Sequence, residues 1–564
     1  MLKKNLPKLA LLGTFLLAFI LRFNSLSSNP PSLDWDEASI GYNAYSILKS
    51  GRDEYGSFLP LEIRSFGDYK PALYVYFAIP FVAIFGLSEL AVRLPSAIFG
   101  TLAVIATYFL VKEIFDRFLF KATIFGKKIT FPESFGEYVS LMSAFFLTVS
   151  PWHLQFSKAA FEGNIGLFFL ISGVLFFLKG LFKSGINLVT AILFFILSLY
   201  SYHSFRIIIP VLTFFLTVIF IREIQFKKKY FFPSLILLTI FFLPIVASFF
   251  SLSGSSSRLS MVTIFSGHDT LKKSIQNIEY DLSQNDSLGA MFHNRRVVYF
   301  LLIVKNYLNH WDPDFLFIHG DGGKQHHAVD LGMVYLFELP FILFGMFLLF
   351  NNLKRKILLF FLWFLIAPVP ASLTTGTPHP VRAIAMLPVI HIFSSVGVVS
   401  FIMLFIRLKN KIYKYGIFIF LIFSFVFNFS YYLHQYYIHT PIEYGNYWQY
   451  GYKELFNYLK TVEDKYDKIV VTYKYDQPYI YYLFYNKTDP FWYQFNWDYL
   501  GTGEVERMRR IIGKYEFRNI DWNKDSILNN VLLVGTSEEF PEGIPKNKEI
   551  KFLDGSIAFY VVKT

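Results

Sequence analysis

Residues 71–85 read PALYVYFAIPFVAIF, fifteen residues that are apolar, carry no charge and are interrupted by Pro80. A helix needs about 20 residues to cross a hydrocarbon core of about 30 Å, so this run is short for a crossing. Its reading sets the sidedness of everything after it. If it crosses fully, the basic stretch 112–128 and every later basic cluster fall outside. If it only dips into the outer leaflet, six clusters fall inside: Lys3/Lys4/Lys8, 112–128, Lys179/Lys183, 222–229, 354–356 and 407–414. Basic residues favour the cytoplasmic side, which predicts a re-entrant or juxtamembrane helix at 71–85. The crossings are then about eleven, near 9–23, 93–113, 137–152, 164–182, 187–204, 207–222, 231–250, 332–351, 357–374, 382–406 and 415–434. The expectation is a multi-pass protein of the plasma membrane with a cytoplasmic N-terminus and an extracytoplasmic C-terminus.

Composition agrees with a membrane solvent. Of 564 residues, 54% are hydrophobic and only 17% charged, and mean hydropathy is +0.41. A soluble chain of this length needs more charge to cover its surface. The 68 Phe and 37 Tyr suit lipid-facing helices and interfacial belts. A net charge of +12 is confined to short clusters between apolar runs, which excludes a nucleic-acid partner and leaves the bilayer. The absence of cysteine excludes disulfides, thiolate metal sites and cysteine nucleophiles. The first run follows a basic start as a signal sequence does. The polar 24–31 that follows offers no small-residue cleavage site, so an uncleaved first helix is expected.

With this sidedness, a first loop of about 25–92, a second of about 251–330 and the tail from about 437 are extracytoplasmic, with short connections at 153–162, 203–206 and 375–381. Non-helical backbone at membrane depth must line a cavity or be buried in protein, so the outer loops are expected to share one cavity. After residue 436 the charge rises. A helix over 452–461 and strands at 468–473, 531–535 and 557–563 predict a small α/β domain over 437–564, following a transmembrane domain over 1–436. This tail has no Gly-rich phosphate loop and no metal-ligand spacing. No fixed-period repeat runs through the chain, which counts against inverted-repeat transporters.

Ionisable residues gather on the outer side. Asp34, Asp36 and Glu37 form LDWDE just past the first run, before an amphipathic 38–48. Such acids often cap a helix; a cluster against a low-dielectric wall can equally supply a general base. Lys70 precedes the dip in DYKP, where a lysine either snorkels to headgroups or clamps a lipid phosphate. Arg93 heads a span. His153, Lys158 and Glu162 follow the third run; His203 and Arg206 occupy a short turn, and His379 and Arg382 lie in TPHPVR. Interfacial anchoring is the plain reading of each histidine and arginine. Their recurrence on one side favours a functional cavity.

The order of these pieces resembles a family. Asp-Glu in the first outer loop, Lys-Pro before the dip, ELAVRLPSAIFG at 89–100 and SPWHLQFSKAAFEGN at 150–164 resemble the GT-C membrane glycosyltransferases, especially the protein O-mannosyltransferases and the aminoarabinose transferases of lipid A. The similarity covers roughly 5–400. It implies an all-α polytopic GT-C body that takes a sugar from a polyprenyl-phosphate carrier and transfers it, with inversion, to an extracytoplasmic protein, lipid or glycan. Position by position, it implies that Asp36, with Glu37 beside it, is the catalytic acidic residue and that Lys70 faces the lipid phosphate. Glu162 stands where relatives carry Asp, one methylene longer. Arg206 and Arg258 match basic phosphate ligands, and 310–321 could shape the acceptor site or merely pack the loop. The chemistry fits this set: the carrier phosphate is a competent leaving group, so positive charge on it and a base for the acceptor suffice. No cofactor is required, although the acids could hold a divalent cation. A flippase for lipid-linked sugars is the alternative from another class. An oligosaccharide transferase is the alternative among enzymes.

Overall fold

The computed structural model describes residues 2–115, 120–124, 127–250, 262–266, 268–286, 288–407, 409–499 and 510–564. Each of the eleven apolar runs falls on a helix. Among the described residues, seven helices are long and apolar enough to cross a membrane: Leu6–Phe23, Glu89–Phe115, Glu162–Phe182, Lys228–Ser248, Arg355–Ser372, Ile384–Phe405 and Lys411–Glu443. Four of the remaining runs form shorter apolar helices, Phe135–Val149, Asn187–Leu199, Phe205–Ile219 and Leu336–Phe350. The deciding run forms helix Leu73–Phe85, thirteen residues with Pro80 inside. At 1.5 Å per residue it is about 20 Å long. Lys411–Glu443 and Lys228–Ser248 keep mostly apolar side chains exposed, as lipid-facing helices do.

The chain forms two compact units, neither continuous in sequence: Met1–Phe19, Gly100–Gln155 and Gly163–Ser430 in one; Ile20–Phe99, Phe156–Glu162 and Tyr431–Thr564 in the other. In the first, helices Leu339–Phe350 and Leu387–Phe405 meet backbone to backbone. A Cβ at Gly345 would stand 1.9 Å from the Phe393 carbonyl oxygen, so only glycine permits this approach.

The second unit holds a seven-stranded sheet in the order Lys548–Lys551, Ile557–Lys563, Val531–Gly535, Lys468–Val471, Tyr515–Phe517, Arg510–Ile512, Trp497–Tyr499. Lys468–Val471 runs parallel to both of its neighbours; the other pairs are antiparallel. All three expected strands are present. Val531–Gly535 is buried throughout, as its unbroken VLLVG predicts for a strand covered on both faces. Helix Tyr452–Val462 buries Tyr452, Leu455, Phe456 and Leu459 at i, i+3, i+4, i+7 spacing.

One element differs from expectation. Helix Trp35–Ser50, read as amphipathic over 38–48, buries Ala38 to Ala44 without interruption. The reason is Gly41. A Cβ there would lie 2.5 Å from the Phe484 ring and 2.6 Å from Val92, so helices Pro478–Asn486 and Glu89–Phe115 both pack on it.

Candidate active site

The three clustered carboxylates take three different roles, and helix geometry separates them. Asp34 is the N-cap of helix Trp35–Ser50: its Oδ1 accepts the Glu37 N–H at 2.7 Å, and Glu37 Oε2 accepts the Asp34 N–H at 3.4 Å, closing a capping box. Burial first, then the charges of Glu37 and Asp36, hold the Asp34 carboxyl well above the usual carboxylate range. Glu37, expected as a second catalytic acid, is 2% exposed with both oxygens engaged. Arg93 Nε donates to Oε1 at 2.9 Å and Nη2 to Oε2 at 2.8 Å, while the Ala160 N–H also donates to Oε1 at 2.8 Å. Arg93 itself, 0% exposed, donates its remaining protons to the carbonyls of Leu26 (3.1 Å), Pro30 (2.9 Å) and Ser32 (2.6 Å). It is no headgroup anchor. It clamps the segment that leads into the capped helix.

Asp36 lies on a different side of the first turn from Asp34 and Glu37, and its side chain is 44% exposed. It pairs with Lys70. Lys70 comes from a feature absent from the sequence reading, a hairpin of Glu62–Ser65 and Asp68–Pro71 in which Ile63 faces Lys70. Phe66 and Gly67 form its two-residue turn with φ of 56° and 76°, left-handed at both positions as a type I′ connection requires. The Lys70 side chain is 16% exposed, with its ammonium 5.6 Å from the centre of the Phe66 ring. Burial disfavours its charge, but Asp36, Glu162 and Asp68 outweigh burial and hold its pKa above the ordinary lysine value. Lys70 is therefore a charged ammonium ringed by carboxylates. Glu162, 9% exposed, opens helix Glu162–Phe182.

Lys158 is a further member, noted in the sequence beside His153 and Glu162 but given no role there. It is 1% exposed and donates to the Asn24 carbonyl (2.7 Å) and Tyr437 hydroxyl (2.9 Å), between the rings of Tyr436 and Tyr437. Burial first, and Arg93 second, push its pKa down to about 7. Residues from the C-terminal part of the same unit also reach this region. Tyr481 donates to the Leu33 carbonyl at 3.1 Å, one residue before the cap. Arg510, stacked 3.6 Å over Tyr479, donates to Tyr493 (2.6 Å) and Tyr55 (2.9 Å). These aromatic and arginine partners carried no motif.

Asp36, Glu37, Lys70, Arg93, Lys158 and Glu162 thus all belong to the second unit. The other candidates belong to the first. There His153 is fully buried, Arg206 is buried at the head of helix Phe205–Ile219, and His203 is half-buried beside Tyr202. Arg382 donates to the Thr374 hydroxyl (2.6 Å) and Thr375 carbonyl (2.8 Å). The His379 N–H donates to His310 Nε2 at 3.1 Å, and its ring lies 5.1 Å from that of His326, so 310–321 packs against TPHPVR. Arg258 lies outside the described residues. Among the described residues no three of His, Asp and Glu are arranged to hold a metal ion. Within the acid cluster, Glu37 is spent on Arg93 and Asp34 on its cap.

No family model and no curated protein matches the chain. Solved structures do. ArnT from Cupriavidus metallidurans, in its apo state and bound to undecaprenyl phosphate, is 11% identical; the match covers 98% of this chain and 97% of that one, with a TM-score of 0.51. The apo oligosaccharyltransferase of Archaeoglobus fulgidus is 13% identical with a TM-score of 0.50; the match covers 87% of this chain and 64% of that one. At such identities the likeness speaks for the fold. The chain has the GT-C fold, as the motif order led one to expect.

Proposed function

We propose that this protein is a membrane glycosyltransferase that moves a sugar from a polyprenyl-phosphate carrier to an acceptor on the extracytoplasmic side. The observation that carries the reading is the Asp36–Lys70 pair with Glu162 beside it: an exposed carboxylate and a charged lysine, three residues before the apolar helix Leu73–Phe85. A lipid-linked phosphate arriving along Leu73–Phe85 meets Lys70 first. The donor's phosphodiester, a monoanion, competes for the ammonium, and the displaced Asp36 carboxylate is freed to act as a base. In the transfer, Asp36 takes the proton of the acceptor hydroxyl or amine as that atom bonds to the sugar's anomeric carbon. The bond from that carbon to the phosphate oxygen breaks, and polyprenyl phosphate leaves paired with Lys70. A single displacement of this kind inverts the anomeric centre. Glu37 and Arg93 take no proton; they hold the turn that aims Asp36.

The sidedness rests on charge: a Leu73–Phe85 that only dips keeps the six basic clusters inside and residues 437–564 outside. ArnT's structure with undecaprenyl phosphate is consistent with a lipid-phosphate ligand in this fold. The test is purified protein in nanodiscs given isotope-labelled polyprenyl-phosphate sugar and envelope extract. Sugar transfer or slow donor hydrolysis is expected, and Lys70→Ala should raise the donor KM at least tenfold while Lys70→Arg retains part of the affinity. Movement of intact donor between leaflets without turnover would instead identify a flippase. Normal donor use by Lys70→Ala would end the phosphate assignment.

A further inference from the structure

A cleft of about 760 Å³ opens in the second unit between residues 25–32 and the helix Tyr452–Val462. Its size falls in the roughly 300–1,000 Å³ range of small-molecule sites. The lining contrasts with the surroundings of Lys70. Hydroxyls and amides come from Ser25, Ser27, Ser28, Asn29 and Asn457, and phenolic rings from Tyr437 and Tyr450. Asn29, 5% exposed, donates from Nδ2 to the Tyr436 carbonyl at 3.1 Å, and among the described residues its buried Oδ1 accepts no hydrogen bond.

The charges of the lining are paired: Lys453 with Glu89 at 2.7 Å, and Glu454 with Lys548 at 2.9 Å. Lys453 is 58% exposed, a weaker anchor for a phosphate than Lys70 at 16%. Pro31, Pro441 and Leu553 add apolar surface between the polar groups, and the serines and carboxylates beside them are unsuited to a lipid tail. Neutral, hydroxyl-rich ligands suit such a wall: their hydroxyls exchange hydrogen bonds with Ser, Asn and carboxylates, and their C–H faces lie on tyrosine rings, which offer an apolar body with a polar tip.

The cleft is tied to the reacting residues by one side chain. Arg93 holds the carbonyls of Leu26, Pro30 and Ser32 in the cleft-side segment while its Nε and Nη2 hold Glu37, next to Asp36. Lys158 fixes Tyr437 in the same wall. We infer that this cleft is a saccharide subsite, taking neutral sugars adjacent to the unit being transferred. The inference rests on the glycosyltransferase reading, and those sugars belong either to the acceptor or to the distal part of an oligosaccharide donor.

The experiment uses the full chain in nanodiscs and labelled neutral oligosaccharides of three to six glucose or mannose units. Ser28→Trp and Asn457→Trp fill the cleft from exposed positions where folding is insensitive. Saturable binding by the wild type, weakened at least tenfold by either tryptophan, is expected. The KM for a lipid-linked monosaccharide should stay within twofold. A rise in acceptor KM assigns the cleft to the acceptor; a rise in KM for a lipid-linked oligosaccharide alone assigns it to the donor. Unchanged saccharide affinity in both folded variants overturns the subsite. So does a wild type that turns over donor yet binds no neutral saccharide. Saccharide binding at the cleft in a protein that uses no lipid-linked sugar would instead uphold the subsite and defeat the transferase reading.

Discussion

Glu37→Gln separates positioning from chemistry in the carboxylate cluster. The side chain keeps its shape and one acceptor oxygen, but loses the charge that faces a fully buried guanidinium. Its new NH₂ opposes Arg93 Nη2 or Nε, donor against donor, where the wild type has bonds of 2.8 and 2.9 Å. Arg93 retains three carbonyl partners but no counter-charge, at 0% exposure. Breaking a buried pair from one side costs about 3–5 kcal/mol, two to four decades in the folded-to-unfolded ratio. Arg93→Met in the same chain removes the stranded charge, so the double variant should recover much of that loss. Unfolding free energies in mixed detergent micelles measure all four corners of the cycle, and turnover is taken on the same folded samples. If Glu37→Gln unfolds within about 1 kcal/mol of wild type, the size of an exposed pair, while turnover collapses, Glu37 is a reacting group and the clamp is wrong.

Asp36→Asn should fold normally and bind donor as well as wild type or better, because Lys70 loses its internal partner; turnover should fall by about 10²–10⁴-fold, the contribution of a general base, in single-turnover assays. Lys158 is lowered to about 7 when folded, against about 10.4 when unfolded. The unfolded chain therefore binds the extra proton between those values, so stability should rise with pH across that window, by at most about 1.4 kcal/mol per unit. Lys158→Met should flatten that rise in pH-dependent unfolding; an unchanged slope would mean that Lys158 is protonated when folded. A reporter fused after Lys128 should read cytoplasmic and one after Pro541 extracytoplasmic; an external signal at Lys128 would make 71–85 a true crossing.

Much of the body was legible in the linear order of residues. Lipid cannot satisfy a bare backbone, so long apolar runs had to become helices; among the described residues seven are long and apolar enough to cross a membrane. VLLVG and IAFYVVK announced buried strands for the same local reason: periodicity is a property of neighbours in sequence. The motif order 89–100 and 150–164 pointed at the GT-C fold because it keeps particular residues at successive helix ends. What composition and spacing left open was how LDWDE divides its labour. Capping, clamping and chemistry demand the same residue type, and only the partners distinguish them: Asp34 meets the Glu37 N–H, Glu37 meets Arg93 from 56 residues away, and Asp36 meets Lys70 from a hairpin with no sequence signature beyond Phe-Gly. The burial of helix Trp35–Ser50 on both sides depended likewise on Phe484, far along the chain. Local physics chose the helices and strands; long-range ion pairs and close contacts, invisible to any window of neighbouring residues, chose which carboxylate was left open to a substrate.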